Sequence, residues 1–370
     1  ININDIDKIV SFYSKRNQIF ALMHCVSIYP SANDTLNLNF IKNLKKRYKS
    51  VPIGWSTHED PNELLPAALA LSNGASIFEK HIGINSKKYK LNNYSIKPED
   101  FEDWYINLEK ARSMLGQSQG KKIYKDEINT IKNLSRGVYA KTEIKKNELL
   151  NDKNVYFALP FKNGQLSSQN LKKGTKSLKN ISKDKEIKVK DVKYNKNLLV
   201  EYKLKSYLHQ AKAMLNYNNI NVGDNFDLEL SHHKGINNFE KVGCFLFNIV
   251  NRKYAKKLII MLPNQRHPSH FHKKKTETFI MISGNLTLID NNKKYYLSPG
   301  DKVDLMANSF HKFMAGNQGC IFEEISTTSL KSDSYYKNRN IKKMSRDARK
   351  TYVNNWFELN PNIIKVAIDK

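Results

Sequence analysis

Cysteine and long apolar runs are both scarce in this chain. Its 370 residues include three cysteines, Cys25, Cys244 and Cys320, which are too few and too scattered for a disulfide framework or a zinc knuckle. No apolar run reaches membrane-spanning length, and no signal-peptide pattern opens the sequence. These absences predict a protein of a reducing compartment, the cytoplasm, without a membrane partner.

Acidic residues are also few. The chain has 35 Asp and Glu against 62 Lys and Arg, a formal net charge of +27. Such a surplus is compatible with nucleic-acid binding. However, the lysines are spread along the whole chain, and no spacing typical of a nucleic-acid-binding motif accompanies them. We therefore interpret the charge as a lysine-rich surface and expect no nucleic-acid partner.

Helix and strand patterns alternate over residues 1–116. The apolar segments "IFALMHCVS", "VPIGWSTH" and "ASIFEKHIG" read as buried strands, and "KPEDFEDWYINLEKARSMLG" reads as a helix. Nearly all-apolar strands alternating with helices predict a parallel sheet covered by helices. Three strands do not close a barrel, and position 1 is Ile rather than Met. We therefore expect that the front of a larger α/β domain is missing.

The remainder of the chain predicts three further regions. After a polar linker, residues 127–195 form a small lysine-rich unit with short strands, and residues 225–330 have an all-β pattern broken by turn signals. Residues 331–370 read as a basic tail. The fold class is therefore multidomain.

Two histidines follow neighbouring strands of the first region. His58 comes after "VPIGWST", and His81 ends the next strand, with Glu79 on the same face. The carboxyl ends of parallel strands meet at one edge, so these side chains are expected side by side. They fit a divalent cation with an acid/base group, although strand-end histidines are often ordinary polar caps.

A second group of histidines lies in the all-β region. His270 and His272 share one face of a strand, and Glu277 follows after the polar "KKKT". If "KKKT" turns, "ETFIMISG" returns as the partner strand and brings Glu277 to the histidines. With His311, this set is typical of a divalent transition-metal site; the alternative is surface histidines beside a lysine turn. We expect His267 at the rim rather than among the ligands.

The order of these residues resembles the cupin family. His-x-His, four residues, Glu, six residues and Gly284 are followed by Gly300 and His311, while Met306 and Asn308 replace the usual Pro and Gly. The resemblance implies a jelly-roll β-barrel that holds Zn, Mn, Fe or Ni. Its metal ligands would be His270, His272, Glu277 and His311. A cupin of this kind could isomerise or epimerise a sugar, or bind one without catalysis.

The first half of the chain resembles the N-acetylneuraminate (sialic acid) synthase family. The resemblance rests on "HCVSIYP", "VPIGWSTHE", "GASIFEKHIG" and "YSIKPEDF", and "RGVYAKTEIKKNELL" resembles the antifreeze-like SAF domain that follows the barrel in that family. It implies that residues 1–117 contain the last three strands of a (β/α)8 TIM barrel. The SAF domain, of the β-clip type, would then span residues 127–195.

This resemblance also implies an activity. The family condenses phosphoenolpyruvate with an open-chain N-acylated amino sugar to form a nonulosonic acid. Its metal ligands, for Mn or Mg, fall on His58 and His81, and its strand-end glutamate falls on Glu79. Substrate-binding positions fall on Tyr29, Ser56 and Ser27, the last in place of a family asparagine. A homodimer is implied as well.

Two departures from the family concern the sugar acceptor. Leu91 stands where the family has an aspartate, and Leu159 where its SAF domain has an arginine that reaches into a partner's active site. Leucine makes neither contact, so we expect an acceptor other than N-acetylmannosamine. Because a phosphate cradle is not recognisable in residues 1–116, we also expect no synthase activity from the 370-residue chain alone, while its cupin folds and takes up metal.

Overall fold

The structure, a computed structural model, describes residues 1–116, 120–223 and 225–358 and the backbone of residues 362–365. The chain divides into two compact units, Ile1–Asn129 and Thr130–Lys370. None of the helices within the described ranges has both the length and the apolar character needed to cross a membrane.

The first unit alternates helices and parallel strands, as the sequence predicts. Its elements are α1 (Ile3–Ser14), β1 (Leu22–Cys25), α2 (Asn39–Arg47), β2 (Ile53–Thr57), α3 (Leu65–Ser72), β3 (Ile77–Lys80) and α4 (Pro98–Leu115), and α5 (Lys125–Leu134) follows. The strands form a parallel sheet in the order β1-β2-β3. Helix α4 begins at a proline and ends before Gly116, which has a φ of +65°.

Burial in this sheet is uneven. Every residue of β2 is buried, with Ile53 and Trp55 in a core shared with Trp104 and Leu108 of α4. Strand β3 instead alternates exposed and half-buried residues, and Ile77 is 40% exposed. The apolar pattern predicted three buried strands, but β1 and β3 are the two edge strands of this sheet.

The second unit opens with small β elements that enclose a core of their own. Strands β4 (Gly137–Ala140) and β5 (Val155–Ala158) pair, and so do β6 (Lys176–Ser177) and β7 (Val192–Lys193). Their core contains Val138, Ile144, Leu166 and Ile187. Next comes α6 (Lys196–Tyr217), which the sequence analysis did not predict. It packs Leu204, Leu208 and Ala211 against the following sheet.

Within the described residues, that sheet has eleven strands. They are β8 (Leu228–Ser231), β9 (Cys244–Asn251), β10 (Tyr254–Met261), β11 (Arg266–Phe271), β12 (Glu277–Asp290), β13 (Lys293–Leu297), β14 (Lys302–Leu305), β15 (His311–Thr327), β16 (Tyr335–Tyr336), β17 (Lys350–Asn354) and β18 (Asn362–Lys365), with α7 (Arg339–Lys343) after β16. The all-β pattern of this region is therefore confirmed. Phe279, Phe313 and Phe322 lie in one of its two core clusters, and Phe245 and Trp356 lie in the other, against α6.

One predicted strand pairing is wrong. Strand β12 does not return along β11; β11 pairs with β15 and β16, and β12 pairs with β13, β14 and β15. The connection between them is held from outside, because the backbone N–H groups of Lys273, Lys274 and Lys275 donate to the carboxylate of Asp333 at 2.8, 3.0 and 3.1 Å. A turn fixed by a residue 58 to 60 positions away leaves no local signal in the sequence.

The boundary at residue 330 also needs correction. Tyr335–Tyr336 pairs with β11, and Lys350–Asn354 pairs with β8. Both strands lie in the segment that the sequence analysis treated as a basic tail. Apolar residues such as Val353 and Trp356 bury themselves in the core beside α6, which explains why the segment joins the sheet despite its charge.

Candidate metal centre and a histidine pair

Three histidines meet inside the large β-sheet of the second unit. His270 lies on β11 directly opposite His311, the first residue of β15. His272 is the residue immediately after β11. Glu277 is the first residue of β12. All four side chains are buried, with exposed fractions of 6% or less. The structure therefore brings together the four residues that the sequence proposed as ligands.

The nitrogen atoms of these histidines converge. The ligand atoms of His270, His272 and His311 lie within 4.8 Å of one another. Nε2 of His270 is 3.1 Å from Nε2 of His311. The carboxylate of Glu277 is 3.5 Å from Nε2 of His272 and 3.3 Å from Nε2 of His311.

The other ring nitrogens fix the tautomers. Nδ1–H of His270 donates to the carbonyl of Pro268 at 3.1 Å, and Nδ1–H of His311 donates to that of Ser309 at 3.1 Å. Nδ1–H of His272 donates to the carbonyl of Asp333. Each Nε2 therefore presents a lone pair to the centre of the group, which is how imidazoles are oriented when they bind metal.

A divalent cation fits this arrangement. Oε2 of Glu277 is buried without a hydrogen-bond partner, and three imidazole lone pairs face it and one another. Burial lowers the pKa of His270 well below its usual range and also lowers the pKa of His272, so both rings are neutral near pH 7. Three neutral imidazoles and a carboxylate are a donor set of divalent transition metals.

A carboxylate between two lysines borders the centre. The ammonium groups of Lys275 and Lys257 both contact Oε1 of Glu324, at 2.9 and 2.7 Å, and Lys275 also pairs with Glu277. Burial opposes ionisation of Glu324, but the two lysines outweigh it and hold its pKa well below its usual range. We call Lys257, Glu324 and Lys275 the first triad.

A second buried carboxylate is also shared by two cations, here a lysine and an arginine. Glu229 pairs with Lys350 and, at 3.0 Å, with Arg346, and Lys350 also donates to Ser231 at 2.9 Å. Burial raises the pKa of Glu229, but Lys350 and Arg346 lower it by more. The net result is a pKa below the usual value. Burial lowers the pKa of Lys350, against the pull of Glu229. We call Arg346, Glu229 and Lys350 the second triad.

Aromatic side chains also line the cavity beside the three histidines. The ring of Tyr336 stacks on His270 with centroids 5.5 Å apart, and its hydroxyl lies 2.8 Å from Nε2 of His233. Burial raises the pKa of Tyr336 to about 12. His267, expected at the rim, is 8% exposed; it stacks on Phe313 and lies outside the three-histidine group. Residues of both triads, Tyr336 and the metal centre line one cavity of about 300 Å³.

The sequence analysis missed the triads, Tyr336 and His233. In the sequence, Lys275 is only one residue of a polar turn. The hydrogen bond that holds its backbone in place comes from Asp333, far along the chain. Glu229 and Lys350 are 121 residues apart, so no spacing pattern could reveal them.

The first unit brings its own pair of histidines together. The rings of His58 and His81 have centroids 5.1 Å apart at the carboxyl ends of β2 and β3. The ring centroid of Tyr29 lies 4.3 Å from that of His58. The ring centroid of Tyr94, a residue that sequence reasoning did not assign, lies 5.2 Å from that of His81. Nδ1–H of His58 donates to the carbonyl of Val26 at 3.0 Å, so its Nε2 is the nitrogen left for a ligand.

The remaining predicted residues of this site differ in exposure. Ser56 is buried and pairs in register with Glu79 on the next strand, whereas Glu79 and Ser27 are exposed. Within the described residues, no third His, Cys, Asp or Glu forms a metal-sized group with His58 and His81. A buried ion pair, Lys80 with Glu59 at 2.7 Å, lies between these strand ends and was not predicted.

Comparison with known proteins assigns both regions. Residues 1–120 match the NeuB family, and residues 257–322 match the cupin domain. The chain thus carries a NeuB family domain and, C-terminal to it, a cupin domain.

Several related proteins have named activities. A pseudaminic acid synthase of Campylobacter jejuni is 28% identical over 40% of this chain and 42% of its own length. The human N-acetylneuraminate-9-phosphate synthase is 29% identical over 36% of this chain and 37% of its own. The crystal structure of an N-acetylneuraminic acid synthetase from Leptospira borgpetersenii matches 35% of this chain and 45% of its own, with 30% identity and a TM-score of 0.32. The chain spans about two fifths of the length of the curated relatives it matches.

Proposed function

We propose that this chain is part of a nonulosonic acid synthase, which condenses phosphoenolpyruvate with an N-acylated amino sugar, and that its cupin binds a divalent transition metal. The synthase proposal rests on the His58 and His81 pair at the strand ends of a NeuB family domain. The metal proposal rests on the three Nε2 atoms that converge beside Glu277.

In the synthase site, His58 and His81 would hold Mn or Mg. When bound, that metal would polarise the aldehyde of the open-chain sugar toward attack by C3 of phosphoenolpyruvate. The hydrogen bond from Nδ1 of His58 to Val26 orients the ring for this role. Glu79, exposed at the same edge, would move a proton. Tyr29 would contact the sugar, together with Ser56 and Ser27.

Further parts of the proposal concern assembly. Residues 127–195 would act as the SAF domain, and the working form would be a homodimer. Leu159 is 55% exposed, and Leu91 is half-buried. An apolar contact does not select a polar N-acyl sugar as a hydrogen-bonding site does, so the acceptor would differ from N-acetylmannosamine.

The synthase proposal is tested by phosphate release. Because the 370-residue chain alone is expected to be inactive, a complete parent protein that contains this sequence is incubated with phosphoenolpyruvate, manganese and a panel of N-acylated amino sugars. We expect sugar-dependent phosphate release that is lost in His58→Ala and retained in His209→Ala, a matched change at an exposed histidine of α6. Equal release by both variants would refute the role of His58, and efficient use of N-acetylmannosamine would refute the acceptor proposal.

A second candidate function is a metal-dependent sugar isomerase or epimerase in the cupin. It is favoured by the position of the metal centre on a cavity of about 300 Å³, at the small end of the range for ligand pockets and near the size of a monosaccharide. Metal analysis combined with NMR of a sugar panel tests this candidate. Conversion of a sugar that depends on His311 would support it, whereas binding without conversion would leave a carbohydrate-binding module.

A further inference from the structure

Each triad has one more cation than carboxylates, so the two triads place positive charge around the cupin cavity. In each triad, one carboxylate is shared by two cations. Lys275 and Lys350 are 4% and 5% exposed, so water does not solvate their ammonium groups well. Removing a charge from water without a full partner is costly, and a nearby opposite charge offsets that cost.

The charged side chains that line the whole cavity have a net charge of +1. Five cationic side chains and four carboxylates line the cavity, and two of these, Asp227 and Lys331, are exposed. The carboxylates are Asp227, Glu229, Glu277 and Glu324, and the cations are Lys257, Lys275, Lys331, Arg346 and Lys350. Because Glu277 also serves the metal centre, a divalent cation there would add two positive charges and take Glu277 away from Lys275. The surplus around the cavity would then grow.

We infer that the cupin cavity binds a monosaccharide-sized sugar acid, whose carboxylate is held by the lysines of the two triads beside the metal centre. The size follows from the cavity of about 300 Å³. The anionic group follows from the two triads, in which four cations face two carboxylates. This inference rests on the proposed function, because the condensation proposed for the first unit forms a sugar carrying the carboxylate of phosphoenolpyruvate. The cupin would therefore act on, or retain, a product of the reaction class assigned to the same chain.

Strand β10 offers a matched pair of variants. Lys257 points into the cavity and pairs with Glu324, while its neighbour Lys256 pairs with Glu323 at 2.8 Å and does not line the cavity. Lys257→Met and Lys256→Met each remove one positive charge and one ion pair with β15. Lys257→Met leaves Lys275 in contact with Glu324, so the carboxylate keeps a cationic partner. Lys350→Met does the same in the second triad, where Arg346 remains with Glu229.

The experiment is calorimetric titration of the full chain, loaded with manganese, with N-acetylneuraminate as the probe. N-acetylmannosamine serves as the neutral comparator, and glucose 6-phosphate as a different anion. A charge-assisted hydrogen bond is worth about tenfold or more in affinity. We therefore expect the acid to bind at least about tenfold more tightly than the neutral sugar. Lys257→Met and Lys350→Met should each weaken binding by about tenfold, and Lys256→Met should leave it unchanged.

Three results would overturn the inference. They are equal affinity for the neutral sugar, unchanged binding in both cavity variants, and tighter binding of the phosphate than of the carboxylate. The first two would refute an anion site, and the third would refute its assignment to a sugar acid. Dependence on Lys257 also assigns the binding to the cupin rather than to the first unit.

Metal content is measured on the same samples, so the proposed metal site and the proposed sugar-acid site can be refuted independently of each other. A protein that takes up no metal would refute the proposed cupin metal site. The titration is then repeated on the metal-free protein, in which both triads remain, with the same criteria. A protein that takes up metal but binds no sugar acid would refute this inference alone.

Discussion

The two histidine sites of this chain differ in how much of a ligand set each contains. The cupin centre has three buried imidazoles and a buried carboxylate, with all three Nδ1 atoms hydrogen-bonded to backbone carbonyls. The strand-end pair has two imidazoles, and the described hydrogen bonds orient only that of His58. Its candidate acid, Glu79, is exposed. The first arrangement can hold a metal by itself, whereas the second would depend on substrate or water for its remaining ligands.

Burial explains this difference. Strands β11, β12 and β15 lie within one sheet, so ligands from distant parts of the chain reach a dry interior. Strands β2 and β3 end at an edge where β3 is half-exposed. Such openness is compatible with the proposed entry of phosphoenolpyruvate and a sugar, and enclosure favours the retention of the proposed metal.

The largest expected effect separates the two sites by metal affinity. The double variant His270→Ala/His272→Ala removes two of the four proposed cupin ligands. If the free energy typical of structural zinc sites, about 10–16 kcal/mol, is shared by four ligands, two of them contribute about 5–8 kcal/mol, and the loss of affinity is on the order of 10⁴- to 10⁶-fold. Elemental analysis after dialysis measures it.

His58→Ala is the control for this experiment. It should leave the dialysis-resistant metal in place, because the strand-end pair is a separate site. Full metal occupancy in the double variant would contradict the assignment of the cupin centre.

The next prediction concerns acid stability of the metal-free second unit. Burial is the main cause that lowers the pKa values of His233, His267, His270 and His272 in the folded state. Above pH 6.5 these groups are neutral in both states. Below it, the unfolded chain takes up protons first, so the free energy of unfolding falls as the pH falls toward the folded-state pKa values. The slope is about 1.4 kcal/mol per pH unit for each histidine, and about 5 kcal/mol for four.

Urea unfolding between pH 7.5 and 5.5 in the presence of a chelator checks this slope. His267→Phe should reduce it by about a quarter, since it removes one of four titrating rings. Phenylalanine can keep the stack on Phe313, whose ring is 4.5 Å away. A free energy of unfolding that does not change over this range would show that the rings are not held neutral.

The contrast between the sites also marks what sequence can and cannot predict. The four cupin residues were identified because a short motif places His270, His272 and Glu277 within eight positions. The parallel strand order and the strand-end histidines followed from local alternation of helix and strand. The pairing of β11 with β16 and the contact of Asp333 with "KKK" were not predictable, because they join segments about 60 residues apart. The triads depend on the same long-range pairing of strands.

A third prediction tests the buried ion pair beside the strand-end histidines. The side chains of Lys80 and Glu59 are 2% and 0% exposed, and Oε2 of Glu59 has no hydrogen-bond partner. Lys80→Met leaves a buried carboxylate unpaired, which costs about 3–5 kcal/mol. Hydrogen exchange of the β2 amides should accelerate, while the cupin keeps its metal.

The control replaces both partners. Glu59→Leu/Lys80→Met removes the buried charge altogether and should recover most of the stability, because apolar replacements of a buried ion pair are often close to neutral. If the single and double variants were equally unstable, packing rather than charge would explain the loss.

The smallest expected effect concerns the departure from the cupin pattern at Asn308. Its φ is +65°, a left-handed conformation that asparagine tolerates and a β-branched residue does not, so asparagine can replace the usual glycine. Its backbone N–H donates to the carbonyl of His272 at 2.6 Å, which ties this loop to a proposed metal ligand. Asn308→Gly should therefore change the free energy of unfolding by only a few tenths of a kcal/mol, and Asn308→Val should lower it by about 1–2 kcal/mol. Thermal unfolding of the two variants measures the difference, and equal stability of both would show that the loop can abandon this conformation and its bond to His272.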